Sequence, residues 1–126
     1  MPYTILIVED NENNRLLLKD ILTFRGYEVL VAGDGQEGVA QARALKPDLI
    51  LMDIQMPGMD GMTAGSILKG DPATSGQKII ALTSFAMQGD QEKFLAAGFD
   101  GYLSKPIDTR ELPGLIQQWL EERKLP

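Results

Sequence analysis

Ile5-Leu6-Ile7-Val8-Glu9-Asp10 runs from four consecutive apolar residues straight into two acids, and Leu49-Ile50-Leu51-Met52-Asp53 repeats the pattern forty-odd residues later. Short β-rich runs of this kind, bounded by polar residues, read as fully buried strands. In an open parallel sheet, ligands bind at the carboxyl ends of the strands. Two such strands side by side would bring three carboxylates into one pocket. Like charges at that spacing repel, so the cluster makes physical sense only with a cation or a shared proton. A hard cation that prefers oxygen ligands, such as Mg²⁺, is its natural occupant.

Outward from these two runs, strand and helix signals alternate with short connections. The first strand is predicted over Thr4 to Val8. A helix starts near Asn11 to Asn14, carries Leu17, Leu18, Ile21, Leu22 and Phe24 at helical spacing, and closes at Arg25-Gly26. Tyr27 to Val31 forms the second strand and Gln36 to Leu45 an Ala-rich helix that Lys46-Pro47 ends. Asp48 to Met52 is the third strand. A Pro/Gly-rich loop, Gln55 to Gly61, leads into a helix over Met62 to Lys69, which Gly65 weakens by roughly 1 kcal/mol relative to Ala. Lys78 to Leu82 is the fourth strand, Asp90 to Ala97 the fourth helix, and Gly101 to Leu103 a short fifth strand. Asp108, with Glu111 three residues on, reads as the capping box of the last helix. Pro113 conflicts with that start, because a proline inside a helix forfeits a hydrogen bond. Trp119, spaced with Leu112, Leu115 and Ile116, reads as packing of this helix on the core.

This alternation implies βαβ units, a parallel sheet and a three-layer α/β sandwich. The carboxyl edge of the sheet then collects Glu9, Asp10, Asp53, Thr83 and Lys105, each expected just past its strand. An Asp in such a place is often only a helix cap or turn residue, and that plainer reading suits Asp34, Asp60 and Asp108.

Composition narrows the function. A chain of 126 residues suits one domain with one core. It has no cysteine, which excludes disulfides and thiolate chemistry, and no histidine, which removes the commonest acid–base group and most zinc sites. The net charge of −6, with scattered Lys and Arg, argues against nucleic acid. No apolar run approaches the roughly 20 residues of a membrane span, and no leader pattern precedes the first strand. A cytoplasmic protein is the expectation.

Five segments carry a resemblance to a family: Val8-Glu9-Asp10-Asn11, Asp48 to Asp53, Met56-Pro57-Gly58-Met59-Asp60-Gly61, Ala81-Leu82-Thr83 and Tyr102-Leu103-Ser104-Lys105-Pro106. In this order and at these spacings the chain resembles a response-regulator receiver domain over residues 1–126. The resemblance implies a flavodoxin-like fold with five helices and a five-stranded parallel sheet of order 2-1-3-4-5. It implies Asp53 as phosphoacceptor, and Mg²⁺ held by Glu9, Asp10, Asp53 and the backbone carbonyl of Gln55. It also implies a phosphoryl group bound by Thr83, the Ser84 amide and Lys105, and a cis Lys105-Pro106 peptide. Thr83 and Tyr102 become the switch pair. Gln55 and Phe85 flank the path of the hydrolytic water, and the bulky Phe85 implies slow autodephosphorylation.

The resemblance implies a histidine kinase or histidine phosphotransfer protein as phosphodonor, and with no histidine in the chain any phosphohistidine must come from a partner. The output surface would be the fourth helix, fifth strand and fifth helix, with Gln91, Lys93 and Arg110 as exposed candidates. The stretches Glu9 to Asn14 and Phe85 to Asp90 resemble stand-alone cell-cycle receivers and the receivers of hybrid histidine kinases. A single-domain response regulator that is no turnover enzyme is the expectation. A receiver excised from a hybrid kinase and a phosphorylation-independent pseudo-receiver are the alternatives. An aspartyl-phosphate phosphatase would need a second Asp two residues after the nucleophile, where Gln55 stands and cannot act as a general acid. A flavodoxin would need a phosphate-cradling Gly-rich loop after the first strand.

Overall fold

The structure is a computed structural model that describes residues 2–84 and 90–122, with positions 90 and 91 described for their backbone alone. Strands and helices alternate: β1 (Thr4–Val8), α1 (Glu12–Phe24), β2 (Glu28–Ala32), α2 (Gly35–Leu45), β3 (Leu49–Asp53), α3 (Gly61–Gly70), β4 (Lys78–Thr83), α4 (Asp90–Ala96), β5 (Gly101–Ser104) and α5 (Leu112–Glu122). All neighbouring strands pair in parallel, in the order β2-β1-β3-β4-β5. This is the flavodoxin-like order that the resemblance implied.

The continuous apolar runs are explained by burial on both faces. Side chains alternate across a strand. Leu6, Val8, Ile50, Met52, Ile79 and Ala81 therefore face one core, shared with Val39 and Ala42 of α2, Ala64 and Leu68 of α3 and Phe94 of α4. Ile5, Ile7, Leu49, Leu51, Ile80 and Leu82 face the other, closed by Leu18 and Leu22 of α1 and Leu112, Ile116 and Leu120 of α5. Trp119 packs against this second core, as its spacing suggested.

Short polar residues start three of the helices. Asn11, Asp34 and Asp60 each accept a hydrogen bond from the amide three residues on, at 2.8–3.0 Å. Gly26 follows α1 with a positive φ of 93°, as expected for a C′ glycine.

Three readings need correction. Leu17 and Phe24 do not join the core: Phe24 is 88% exposed and Leu17 half exposed. The stripe of α1 runs through Leu18 and Leu22, and 100° per residue carries these two positions off it. The last helix begins at Leu112, not at Asp108. Pro113 is the reason: in the first helical turn its missing N–H costs nothing. Asp108 instead closes a preceding turn, its carbonyl accepting from the amides of Glu111 and Leu112 and its carboxylate from that of Arg110. Lastly, Asp53 and Thr83 are the final residues of their strands rather than just beyond them.

Gly65 is a slot rather than a simple weakness of α3. A Cβ there would overlap the Phe99 ring, reaching 2.5 Å from its Cε1. Phe99 is buried and packs on Phe94 with ring centroids 6.2 Å apart. Overpacking of about 1–3 kcal/mol outweighs a helix-propensity gain of about 1 kcal/mol. Gly65→Ala is therefore expected to destabilise the fold in urea denaturation, and to become neutral or stabilising in a Phe99→Leu background. A stabilising Gly65→Ala in the parent would contradict this packing.

Candidate functional site

The site is built by strand ends. β1 stops at Val8, and the next amide, Glu9 N, still donates to Ala32 O of β2 at 3.0 Å, so Glu9 stays in the plane of the sheet and is fully buried. β3 carries Asp53 on its last pair, opposite Leu82. β4 ends at Thr83, buried and paired with Ser104 of β5. The Thr83 carbonyl accepts from the Lys105 amide at 2.8 Å, which brings the first residue past β5 to the same edge. The Lys105–Pro106 peptide is cis.

These side chains converge. Carboxylate oxygens of Glu9, Asp10 and Asp53 lie within 4.8 Å of one another, two of the residues buried and Asp10 exposed. Lys105 Nζ reaches into the cluster, 2.8 Å from Glu9 Oε1 and 3.0 Å from Asp53 Oδ2. The other oxygen of Asp53 accepts from the Gln55 amide at 3.1 Å, and Glu9 Oε2 accepts from the Asn11 amide at 3.3 Å. Ser84 lines, with Glu9, Lys105, Pro106 and residues of α1, a cleft of about 390 Å³ that opens beside the cluster.

Electrostatics follow from crowding. Burial, then the neighbouring Asp53 carboxylate, push Glu9 up to about pKa 7 against the opposing pull of Lys105. Burial alone would lower the Lys105 ammonium, but its ion pairs with Glu9 and Asp53 outweigh that and raise it. One ammonium, paired with two of the three carboxylates, leaves a net-negative, oxygen-only donor set. This is the kind of site that takes a hard divalent cation.

Five expected residues, Glu9, Asp10, Asp53, Thr83 and Lys105, thus meet at one edge. Tyr102 stands farther along β5, half-buried, its ring centroid 6.2 Å from that of Phe94. Lys93 and Arg110 are exposed on the α4–β5–α5 side. Phe85 lies outside the described residues, and so does the side chain of Gln91. One feature escaped sequence reading. Arg15, in the first turns of α1, donates from Nη1 to the Glu9 carbonyl at 3.0 Å. No motif signals a side chain that reaches back to a backbone carbonyl six residues earlier.

A flavodoxin-like sheet with three acids and a lysine at its carboxyl edge defines the class, and sequence comparison agrees. The chain belongs to the response regulator receiver domain family, whose model matches residues 5–117, and is a receiver domain of two-component signalling. It is 41% identical over 120 residues to the polar-differentiation response regulator DivK of Brucella anthropi, covering 95% of this chain and 98% of that one. Among solved structures it is similar to the receiver domain of a sensor histidine kinase from Pseudomonas aeruginosa PAO1, which has a magnesium ion coordinated in its active-site cleft. That match has 37% identity and a TM-score of 0.87, over 96% of this chain and 99% of that one. A CheY-like receiver domain protein from Methanospirillum hungatei JF-1 superposes with a TM-score of 0.91 at 33% identity, covering 98% of each chain. The similarity to stand-alone receivers and to receivers of histidine kinases matches the expectation. Among the described residues, no helix is long and apolar enough to cross a membrane.

Proposed function

We propose that Asp53 is the phosphoacceptor of a phosphorelay and that the chain, a single receiver domain, signals by a phosphorylation-dependent switch. The observation that carries this is the placement of the Asp53 carboxylate. It is buried at a strand end, held by the Gln55 amide on one oxygen and Lys105 on the other, within reach of two further acids.

In the reaction, an Asp53 oxygen forms a bond to phosphorus as the bond from phosphorus to the donor imidazole nitrogen breaks. The donor belongs to a histidine kinase or histidine phosphotransfer protein. Glu9, Asp10, Asp53 and the Gln55 carbonyl would hold Mg²⁺, which supplies charge neutralisation for the phosphoryl oxygens when bound. The magnesium-bound Pseudomonas receiver supports this choice of ion. Lys105 offers a point cation to the incoming phosphoryl group, and the Thr83 hydroxyl and Ser84 amide offer neutral donors.

Thr83 then responds to phosphate and Tyr102 to Thr83, shifting a pre-existing equilibrium toward an altered α4–β5–α5 face. That face is where a downstream protein would dock. Gln55 and Phe85 set the lifetime of the acyl phosphate. The chain accepts its phosphoryl group stoichiometrically and turns over no substrate. The proposed relay is cytoplasmic.

The test is incubation with Mg²⁺ and a small-molecule phosphodonor, followed by intact mass. One added phosphoryl group, dependent on Mg²⁺ and mapping to Asp53, is expected. An unmodified chain at every Mg²⁺ concentration would favour a phosphorylation-independent binding module.

A further inference from the structure

The Glu9–Asp10 peptide is the weak point of the acidic cluster. The Glu9 side chain is tied on both oxygens, to Lys105 and to the Asn11 amide, and its own amide is tied to β2. Asp10 has no such ties. It is exposed, and among the described residues its carboxylate makes no hydrogen bond or ion pair. Where that carboxylate can reach is set by its own χ1 and χ2 rotamers and by the backbone they start from, which includes the plane of the peptide between Glu9 and Asp10. The carbonyl of that peptide is the group that Arg15 Nη1 holds at 3.0 Å.

Beyond the end of β1 no backbone amide among the described residues donates to this carbonyl, so the guanidinium is what restrains it. Arg15 is well placed to do so. It is half-buried, it sits in the first turns of α1, and its own amide makes the helix bond to the carbonyl of Asn11, the α1 cap. The guanidinium also lies along the β2–α2 turn, 3.7 Å from where a Cβ on Gly33 would stand. The planar, rigid fork of Arg fixes direction in a way that an ammonium on a flexible stem does not.

We propose that Arg15 is a positioning residue for the divalent-cation site: by locking the Glu9 carbonyl, it pre-sets the Glu9–Asp10 peptide and so aims Asp10 into the cluster. This rests on the cation site proposed above. Groups that orient metal ligands commonly control affinity by about 10–100-fold, and Arg15 acts one step back, through the backbone, so an effect near 10-fold is expected.

The test titrates the full chain with Mg²⁺ alone, by calorimetry, for the parent, Arg15→Met and Arg15→Lys. Phosphorylation rates from a small phosphodonor are measured in parallel against Mg²⁺ concentration. The expected result is a Kd for Mg²⁺ raised about 10-fold in Arg15→Met and by a smaller factor in Arg15→Lys, which keeps the charge but not the fork. At saturating Mg²⁺ the phosphorylation rate should return to within about two-fold of the parent, because the lost interaction serves binding and not the chemical step. An unchanged Kd in Arg15→Met overturns the proposal. So does a loss of maximal rate that saturating Mg²⁺ does not restore, which would mark a general structural role. Should Arg15→Met fail to fold, Arg15→Lys decides alone, an unchanged Kd again being fatal. A parent chain that binds no Mg²⁺ overturns the cation site as well, whereas normal binding in parent and variants overturns the positioning role only.

Discussion

Asp53→Asn is expected to abolish phosphoryl incorporation and, in Mg²⁺-free buffer at neutral pH, to raise the stability of the fold. The first effect follows from chemistry: an amide oxygen is no nucleophile toward phosphorus, and intact mass should show no adduct under conditions that modify the parent. The second follows from crowding. Three carboxylates lie within 4.8 Å of one another and Lys105 pairs with only two of them, so removing one charge relieves repulsion while Lys105 keeps its 2.8 Å pair with Glu9. The Asn side-chain oxygen still accepts from the Gln55 amide, but its NH2 group then stands where an oxygen faced Lys105 Nζ at 3.0 Å, a donor–donor contact that offsets part of the gain. A gain of about 1 kcal/mol, or about 3–6 °C in the melting midpoint, is the expected scale.

The pH dependence has a definite sign. Glu9 titrates near 7 in the fold, above its ordinary value, partly because of Asp53. A raised carboxyl pKa means that the folded state holds more protons than the unfolded one. Stability from this group is therefore full below about pH 4.5 and is lost as pH rises through about 7. Asn at position 53 removes part of the cause. The variant's advantage should widen from pH 5 to 7 and fade in acid. An Asp53→Asn chain less stable than the parent at pH 7 without Mg²⁺ would show that the carboxylates are not in conflict.

What could be read from the chain was what depends on pattern. Runs such as Ile5 to Val8 and Leu49 to Met52 are apolar because both faces of β1 and β3 are covered, and the acids that end them mark the ligand edge whatever the strand order. Caps such as Asp34 and Asp60 were legible as local chemistry. What escaped reading depends on rotation or on distance in space. Phe24 lies two residues past Leu22, and only the helix's actual orientation shows that it points outward. Asp108 carries a good capping pattern, but Pro113 decides where α5 begins. Arg15 and Gly61 matter through contacts with backbone atoms of other segments, which leave no periodic trace in a sequence.

Gly61→Ala is expected to be among the most damaging single-methyl changes near the site. Gly61 opens α3 directly under the end of β3. A Cβ there would overlap the Asp53 carbonyl oxygen and stand 2.7 Å from Ile54 Cα and 2.8 Å from the Asp53 carbonyl carbon. All three are backbone atoms, so no side chain can swing aside. Nor can the strand retreat easily: Asp53 pairs with Leu82, and the Ile54 amide donates to the Leu82 carbonyl at 3.0 Å. The start of α3 must move instead, which strains the 3.0 Å bond from Gly61 N to the Ile54 carbonyl and shifts the loop of residues 54–60. That loop contains Gln55, whose amide orients the Asp53 carboxylate. The cost in stability should reach about 3 kcal/mol, the upper end for overpacking, because neither side can relax. A displacement of about 1 Å at the nucleophile commonly costs about 100-fold in rate, and phosphorylation should slow on that order even in chains that remain folded. Gly70→Ala is the matched control, since nothing lies within 4 Å of its Cβ position at the end of the same helix. It should leave phosphorylation unchanged and stability equal or slightly higher. Denaturant midpoints and phosphorylation rates on the two variants separate the outcomes. If Gly61→Ala and Gly70→Ala behave alike, then close packing of α3 on the Asp53 peptide is not what holds the nucleophile in place.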